Sequence, residues 1–285
     1  MSEAAPALVS TEWLAGHLGR PGLVVVDGST YLPTSGRDPA AEYAAGHIPG
    51  ALFFDVETSS DPGSLPHMLP SPEAFAARMG ALGIGDEDQL VVYDGSGVNL
   101  SAPRVWWMFR TMGHDRVSLL DGGIGKWRGE GRPLEAGTVR RPPARFTPRL
   151  RPGAVRDLAA VRDLLRSGRE QVVDMRSAGR FAGTEPEPRP GLRGGHMPGS
   201  RSLPFHELVG PDGTLLPPEQ LRRRIAAAGI EPAWPVVATC GSGVSACALI
   251  FALHLLGRDD VALYDGAWTE WAGRPDTPVV TGGPA

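Results

Sequence analysis

The hydrophobic pattern of this chain consists of short apolar runs separated by polar segments rich in glycine and proline. Most of the runs are rich in valine and end abruptly, which is typical of strands buried on both faces. Helical patterns lie between them. This alternation predicts an α/β fold, with a mostly parallel sheet flanked by helices on both faces. The predicted strands are at 24–27, 51–54, 90–94 and 118–120, and then at 172–174, 200–203, 236–239 and 261–264.

The second half of the chain repeats the pattern of the first. The stretch that begins at Ser101, SAPRVWWMFRTMGHDRVSLLDGGIGKW, aligns without a gap with the stretch that begins at Ser245, SACALIFALHLLGRDDVALYDGAWTEW. Just upstream, VVYDGSGV aligns with VATCGSGV. A duplicated α/β domain is therefore predicted. We place the first copy at 1–134, a linker rich in proline and arginine at 135–152, and the second copy at 153–285.

Cys240 lies at the end of an apolar strand, where a glycine-rich turn leads into a helix predicted over 246–256. The turn is formed by Gly241, Ser242 and Gly243. Such a turn points backbone N–H groups inward at the positive end of a helix dipole, so it stabilises an anion on the sulfur. A thiolate there is a nucleophile. The simpler alternative is that Cys240 is a small buried core residue.

Two enzyme classes place a cysteine in a turn of this kind. Cysteine phosphatases use a Cys-x5-Arg loop, in which the arginine neutralises a phosphate dianion, but here that position is Ala246. Sulfur transfer through a cysteine persulfide needs no arginine there and is the favoured chemistry. In the first copy, Asp94 aligns with Cys240. A carboxylate cannot carry a transferable sulfur atom, so the first loop is predicted to be inactive.

Composition and charge exclude several other functions. The net charge of -4 and the pI near 6.0 give no reason to expect a nucleic-acid partner. Lys126 is the single lysine, so anion binding must fall to arginine. The two cysteines do not form a disulfide scaffold, and no Cys/His spacing suits zinc. The sulfur-transfer chemistry favoured above needs neither a metal nor an organic cofactor.

The chain shows no pattern of export or membrane insertion. Its first residues, MSEAAPALVS, lack the basic and apolar regions of a signal peptide, and its longest apolar run is too short to span a bilayer. Few cysteines are usual in a reducing compartment. We therefore expect a soluble, cytoplasmic protein that does not associate with membranes.

The segment CGSGVSA at 240–246 resembles the active-site loop of the two-domain rhodanese superfamily. It is most similar to the branch of that superfamily that uses 3-mercaptopyruvate, whose loop reads CGSGVTA. Branches that prefer thiosulfate carry basic residues in this loop, and this chain has none there. The resemblance extends over nearly the whole chain, through FFDVE, HMLP, SAPRVWWMFR, GRFAGTEPEPR and YDGAW.

This resemblance implies a sulfurtransferase. The enzyme would move sulfur from 3-mercaptopyruvate, through a persulfide on Cys240, to a thiol, thioredoxin or cyanide, and it would release pyruvate. Two alternatives remain open, namely a thiosulfate:cyanide sulfurtransferase and a carrier that holds a persulfide without turnover. The expected partners are the small sulfur donor and the sulfur acceptor, and the expected state is a monomer.

The resemblance also implies a proton relay formed by the loop serine, a histidine and an acid of the first domain. Ser242 and His67 match the serine and the histidine. Glu57, in FFDVE, falls where the family has an aspartate, and the segment from there to His67 is shorter than the usual pattern. Asp55 and Asp61 are therefore alternatives, as is a relay of serine and histidine alone.

Two arginines are assigned to the substrate carboxylate by the same resemblance. They are Arg180 and Arg189, in GRFAGTEPEPR. A guanidinium binds a carboxylate through two parallel hydrogen bonds, which suits an anionic substrate. The alternative is that either arginine simply pairs with Glu185 or Glu187. The loop residues in the predicted substrate site are Gly241, Gly243, Val244 and Ser245.

Cys247 lies one helical turn beyond the loop. We expect it to pack in the core. The alternative is a resolving cysteine that forms a disulfide with Cys240.

Overall fold

The structure is a computed structural model that describes residues 5–63, 65–231 and 233–283. Each half of the chain forms one sheet with flanking helices. The first half contains β1 (Leu8–Val9), α1 (Thr11–Ala15), β2 (Leu23–Asp27), α2 (Pro39–Ala45), β3 (Leu52–Phe53), α3 (Pro72–Leu82), β4 (Gln89–Tyr93), α4 (Ala102–Thr111), β5 (Val117–Leu120) and α5 (Gly123–Gly129). The second half contains β6 (Val155–Arg156), α6 (Leu158–Ser167), β7 (Gln171–Asp174), α7 (Ala178–Ala182), β8 (Arg201–Ser202), α8 (Pro218–Ala227), β9 (Val236–Thr239), α9 (Cys247–Leu255), β10 (Val261–Tyr264) and α10 (Ala267–Gly273).

The two sheets have the same topology. The strand order is β1-β5-β4-β2-β3 in the first and β6-β10-β9-β7-β8 in the second, and every neighbouring pair is parallel. The α/β prediction and the duplication are thereby confirmed. All eight predicted strands are present within a residue or two of their expected ends. The sequence pattern missed β1 and β6, which are two-residue edge strands.

Local sequence explains why the elements form where they do. The central strands β4 and β9 are rich in valine, and nearly all of their residues are buried, as expected for strands covered on both faces. Side-chain caps fix several helix starts. The Ser71 hydroxyl accepts a hydrogen bond from the Ala74 amide (3.2 Å) before α3, and Asp157 accepts one from Ala160 (2.8 Å) before α6.

The two halves meet where α4 packs against α9. The ring of Trp106 lies edge-on to that of Phe251, with 4.9 Å between the ring centroids. Nearly every residue of both helices is buried, and one hydrophobic cluster includes side chains from both sheets. An apolar helix with no polar face is what such a position requires. Within the described part of the chain, neither α9 nor any other helix is long and apolar enough to cross a membrane.

The predicted linker runs along the first domain. Residues 136–152, all of which the structure describes, contain neither a helix nor a strand. Phe146 nevertheless packs into the first core, with its ring centroid 5.4 Å from that of Phe75. The Arg149 amide donates a hydrogen bond to the Met112 carbonyl (2.7 Å). This segment is therefore anchored on the first half before the chain enters the second.

The junction of the halves generates a stability prediction. Trp106 is 2% exposed, so Trp106→Ala is expected to lower the free energy of unfolding by about 3–5 kcal/mol, as truncations of buried tryptophan do. Urea denaturation followed by circular dichroism measures this change. The matched control is Trp234→Ala, because Trp234 is 54% exposed and its loss should change stability by no more than about 0.5 kcal/mol. Equal losses in the two variants would contradict the prediction.

Candidate active site

The loop after β9 is fixed by the start of α10. The Cys240 carbonyl accepts a hydrogen bond from the Trp268 amide (2.9 Å). The Gly241 carbonyl accepts two, from the Thr269 amide (3.0 Å) and from the Thr269 hydroxyl (2.6 Å). Gly243 has a φ of +76°, and a Cβ there would lie 2.9 Å from Asp265 Oδ1, so a side chain is excluded. These contacts hold the turn in one conformation.

The amides of the same loop are unpaired. Across the described residues, none of the backbone N–H groups of 241–246 has a hydrogen-bond acceptor. Cys240 itself is 2% exposed and lines the cleft. Consecutive unpaired amides before the first turn of a helix form a site for an anion.

The first domain shows how this loop binds an anion. Asp94 Oδ1 accepts a hydrogen bond from the Ser96 amide (2.8 Å), and Oδ2 accepts from the amides of Ser101 (2.8 Å) and Ala102 (2.8 Å). The second loop is two residues shorter, and its aligned residues are Ser242, Ser245 and Ala246. In the first copy the tethered carboxylate occupies the amides, whereas in the second copy the equivalent amides are free beside a thiol.

His67 reaches the second loop from the first domain. Its Nδ1 lies 2.9 Å from Ser242 Oγ, and its Nε2 is hydrogen-bonded to the Glu57 carboxylate. The hydrogen bond with His67 is the main reason that the pKa of Glu57 lies below its ordinary value; partial burial acts in the opposite direction. His67 is 5% exposed, while the Glu57 side chain is 63% exposed. The structure thus brings serine, histidine and acid into one line.

The alternative acids face elsewhere. Asp55 Oδ1 accepts a hydrogen bond from the Glu57 amide (3.0 Å), and Asp61 Oδ1 accepts one from the Gly63 amide (3.0 Å). Both carboxylates stabilise turns of their own segment. Of the three acids that the sequence left open, Glu57 is the one that contacts the histidine.

The two predicted arginines line the same cleft but differ in their pairing. Arg180 Nη2 lies 2.6 Å from Glu187 Oε2, and the same carboxylate lies 2.6 Å from Arg176. The pairing of Arg180 with Glu187 that the sequence left open is therefore present, yet the Arg180 side chain remains 13% exposed and lines the cleft. Glu185 instead accepts a hydrogen bond from the Ser177 hydroxyl (2.6 Å).

Arg189 has no carboxylate within ion-pair distance in the described ranges. Burial lowers the pKa of its guanidinium, while the neighbouring Glu57 and Cys240 oppose the shift. An arginine remains cationic under such conditions. Arg189 is therefore a partly buried, unpaired cation beside the thiol.

Of the other loop residues predicted to bind substrate, three line the cleft and one does not. Gly241, Val244 and Ser245 line the cleft, and Gly243 does not. The Gly243 carbonyl instead accepts a hydrogen bond from Arg104 Nη1 (3.3 Å).

The opposite wall of the cleft was not predicted from the sequence. It is formed by first-domain residues that follow β2, namely Thr30, Tyr31, Leu32 and Pro33. A signal for them exists, because the segment after a strand lies at the carboxyl edge of a parallel sheet, where ligands bind. That this edge faces the loop of the other domain is a property of tertiary packing alone.

Cys247 packs in the core, as expected. It has no exposed surface, and its Sγ lies 3.4 Å from the Gly243 carbonyl. Burial raises the pKa of its thiol well above the ordinary value, and the neighbouring Arg104 only partly offsets this. Neither Cys240 nor Cys247 is in a disulfide. Among the described residues, no group of three His, Cys, Asp or Glu is arranged to hold a metal ion.

Fold and site together define a class: a duplicated α/β protein whose second copy carries a cysteine in a glycine-rich loop between a strand and a helix. The family model of the rhodanese-like domain matches residues 10–130 and 157–274. This chain belongs to the rhodanese family, with two copies of the domain.

Individual relatives cover almost the entire chain. The 3-mercaptopyruvate sulfurtransferase of Homo sapiens is 45% identical over 285 residues, which is 97% of this chain and 96% of that protein. The thiosulfate sulfurtransferase of Bos taurus is 44% identical over 287 residues, with 97% and 96% covered. The crystal structure of SseA from Escherichia coli, a 3-mercaptopyruvate sulfotransferase, superposes with a TM-score of 0.85 at 40% identity and covers 93% of this chain and 99% of its own.

The different settings of the two cysteines predict selective alkylation. Iodoacetamide at pH 8 is expected to modify Cys240, which lines the cleft, and to leave Cys247 unmodified, because burial disfavours its thiolate. Peptide mass spectrometry locates the adduct. In Cys240→Ser the native protein should take up no label, and labelling should return at Cys247 in urea. An adduct on Cys247 in the native wild type would refute this.

Proposed function

We propose that this protein is a sulfurtransferase that takes sulfur from 3-mercaptopyruvate and carries it as a persulfide on Cys240. The observation that carries the proposal is the convergence of three features in one cleft. These are the thiol with its unpaired loop amides, the His67–Ser242 pair, and the unpaired Arg189 guanidinium. The names and the near-complete coverage of the relatives support the same conclusion.

The transfer step begins at the thiolate. Cys240 attacks the sulfur of 3-mercaptopyruvate, a sulfur–sulfur bond forms, and the carbon–sulfur bond of the substrate breaks. The electron pair of that bond remains on the carbon as the enolate of pyruvate. The proton of the substrate thiol passes through Ser242 and His67 and is delivered to the enolate, while Glu57 orients the ring. The products are pyruvate and a persulfide anion.

The substrate carboxylate is assigned to Arg189, with Arg180 beside it. No carboxylate of the described chain pairs with Arg189, so its charge is available to a ligand in the cleft. Arg180 shares its guanidinium with Glu187, which fixes its direction. A planar guanidinium whose direction is fixed restricts the orientation of a bound carboxylate more than a flexible cation does.

The amides of the loop are assigned to the persulfide. The terminal sulfur of a cysteine persulfide and the Oδ atoms of an aspartate are both three bonds from Cα. The contacts of Asp94 in the first loop therefore support a similar position for the outer sulfur atom in the second. By this comparison the amides of Ser242, Ser245 and Ala246 stabilise the outer sulfur atom.

Sequence identity does not distinguish the donor, because relatives at 44–45% identity are named for 3-mercaptopyruvate and for thiosulfate. The loop favours the former. Thiosulfate is a dianion, and the loop from Cys240 to Ala246 contains no basic residue to neutralise its second charge. Thiosulfate:cyanide sulfur transfer is the second candidate, and turnover on the two donors discriminates between them.

Acceptor, assembly and compartment are also proposals. A thiol, thioredoxin or cyanide would accept sulfur from Cys240, and the protein would act as a monomer. A cytoplasmic location accords with the low cysteine content, although a relative in Arabidopsis thaliana that is 44% identical is mitochondrial by name.

The nucleophile generates the first functional prediction. Cys240→Ser is expected to abolish pyruvate formation from 3-mercaptopyruvate, because serine cannot form a persulfide. The wild type, incubated with donor and without acceptor, should gain the mass of one sulfur atom on the peptide that contains Cys240. Cys247→Ser serves as the control and should retain both properties. Pyruvate release by Cys240→Ser would contradict the proposed function.

The proposed binding site for the substrate carboxylate leads to a second functional prediction. Arg189→Met should lower kcat/KM for 3-mercaptopyruvate by about 10- to 100-fold, mainly through KM, as expected for the loss of a charged hydrogen bond. Steady-state pyruvate release measures this. Arg222→Met is the matched control, since Arg222 lies on α8 with 53% of its side chain exposed. If KM were unchanged in Arg189→Met, Arg189 would not bind the carboxylate.

A further inference from the structure

His67 has an unusual backbone. Its φ is +64°, in the left-handed region that residues other than glycine rarely adopt. Such a conformation costs free energy and persists only where surrounding contacts enforce it. The same residue provides the ring that contacts Ser242 across the domain junction. What holds this backbone therefore also determines where the ring lies.

One buried guanidinium contacts both sides of that junction. Arg104, on α4, has no exposed surface. Its Nη2 donates a hydrogen bond to the His67 carbonyl, and its Nη1 donates to the Gly243 carbonyl (3.3 Å). Gly243 directly follows Ser242 in the chain. Arg104 thus links the backbone of the histidine to the backbone of the loop that the histidine faces.

A carboxylate of the second domain completes the arrangement. Asp265 lies just after β10, is 2% exposed, and pairs with Arg104 through Oδ1 at 2.6 Å. Its Oδ2 accepts a hydrogen bond from the Leu69 amide (2.6 Å). The backbone that follows His67 is therefore held at two points, at the His67 carbonyl by a cation of its own domain and at the Leu69 amide by an anion of the other.

We propose that the Arg104–Asp265 pair is a positioning device that sets His67 against Ser242. The inference rests on the proposed function, since it concerns the relay of that reaction. A buried ion pair contributes little net stability compared with apolar packing of the same volume, so stability alone does not account for one at this junction. Small displacements of a proton-transfer group, in contrast, are costly to the rate.

The test uses two conservative variants, Asp265→Asn and Arg104→Lys. Each should lower kcat for 3-mercaptopyruvate by about 10- to 100-fold, as expected for a misplaced relay group. KM should change less than about threefold, because Arg180 and Arg189 are untouched. In a His67→Ala background, Asp265→Asn should cost almost nothing further, because groups that act through one residue are not additive. An additive loss in the double variant would overturn the proposal.

The matched control is Asp259→Asn. Arg110, also on α4, lies 3.3 Å from Asp259 of the second domain, so this pair crosses the same junction without contact to the cleft. Its loss should leave kcat unchanged. A reduction of kcat equal to that of Asp265→Asn would mean that any loosening of the interface slows the enzyme, and the specific role would be wrong.

A second measurement is independent of turnover. The ring resonances of His67 in a ¹H–¹³C NMR spectrum, assigned by their absence from His67→Ala, should shift in Asp265→Asn and not in Asp259→Asn. If Asp265→Asn does not fold, Arg104→Lys takes its place in both tests. A wild type that forms no pyruvate would refute the proposed function, whereas an unshifted His67 ring together with normal kcat would refute the positioning role.

Discussion

The cleft depends on the packing of α4 against α9, because that contact brings each domain within reach of the other's loop. His67 and Glu57 belong to the first domain, while the thiol belongs to the second. Each domain also donates a backbone amide to a carboxylate of the other. The Leu69 amide of the first domain binds Asp265 of the second (2.6 Å), and the Leu215 amide of the second binds the aligned Asp121 of the first (2.8 Å). Neither domain alone contains all the groups that converge on Cys240.

The two arginines that line the cleft differ in whether a carboxylate of the protein pairs with them. The Glu187 side chain is almost fully buried and lies between two guanidinium groups, those of Arg176 and Arg180, so the direction of Arg180 is fixed. Arg189 is left without such a partner in the described chain. One cation is therefore held in place by the protein, and another is available to an anionic ligand. Burial makes an unpaired charge costly, which favours the binding of a carboxylate there.

Much of this was predictable from the sequence, for identifiable reasons. Duplication and valine-rich runs are regular patterns, so the two sheets and the position of Cys240 follow from them. The edge strands β1 and β6 are too short to show a period. Arg104 was not singled out, because nothing in a helix sequence tells which residue crosses a domain junction. The choice of Glu57 over Asp55 likewise depends on how one loop folds back towards His67, and spacing alone does not determine this.

The Asp94 carboxylate in the first loop affects which part of the protein can bind small anions. The Asp94 carboxylate belongs to the same loop as the amides that it contacts, so a dissolved anion would have to displace an intramolecular ligand. Asp94 therefore excludes dissolved oxyanions, such as thiosulfate, from the amides of Ser101 and Ala102. Of the two aligned loops, it is the one after β9 whose amides are available to a dissolved anion, so competition among such anions concerns the Cys240 loop.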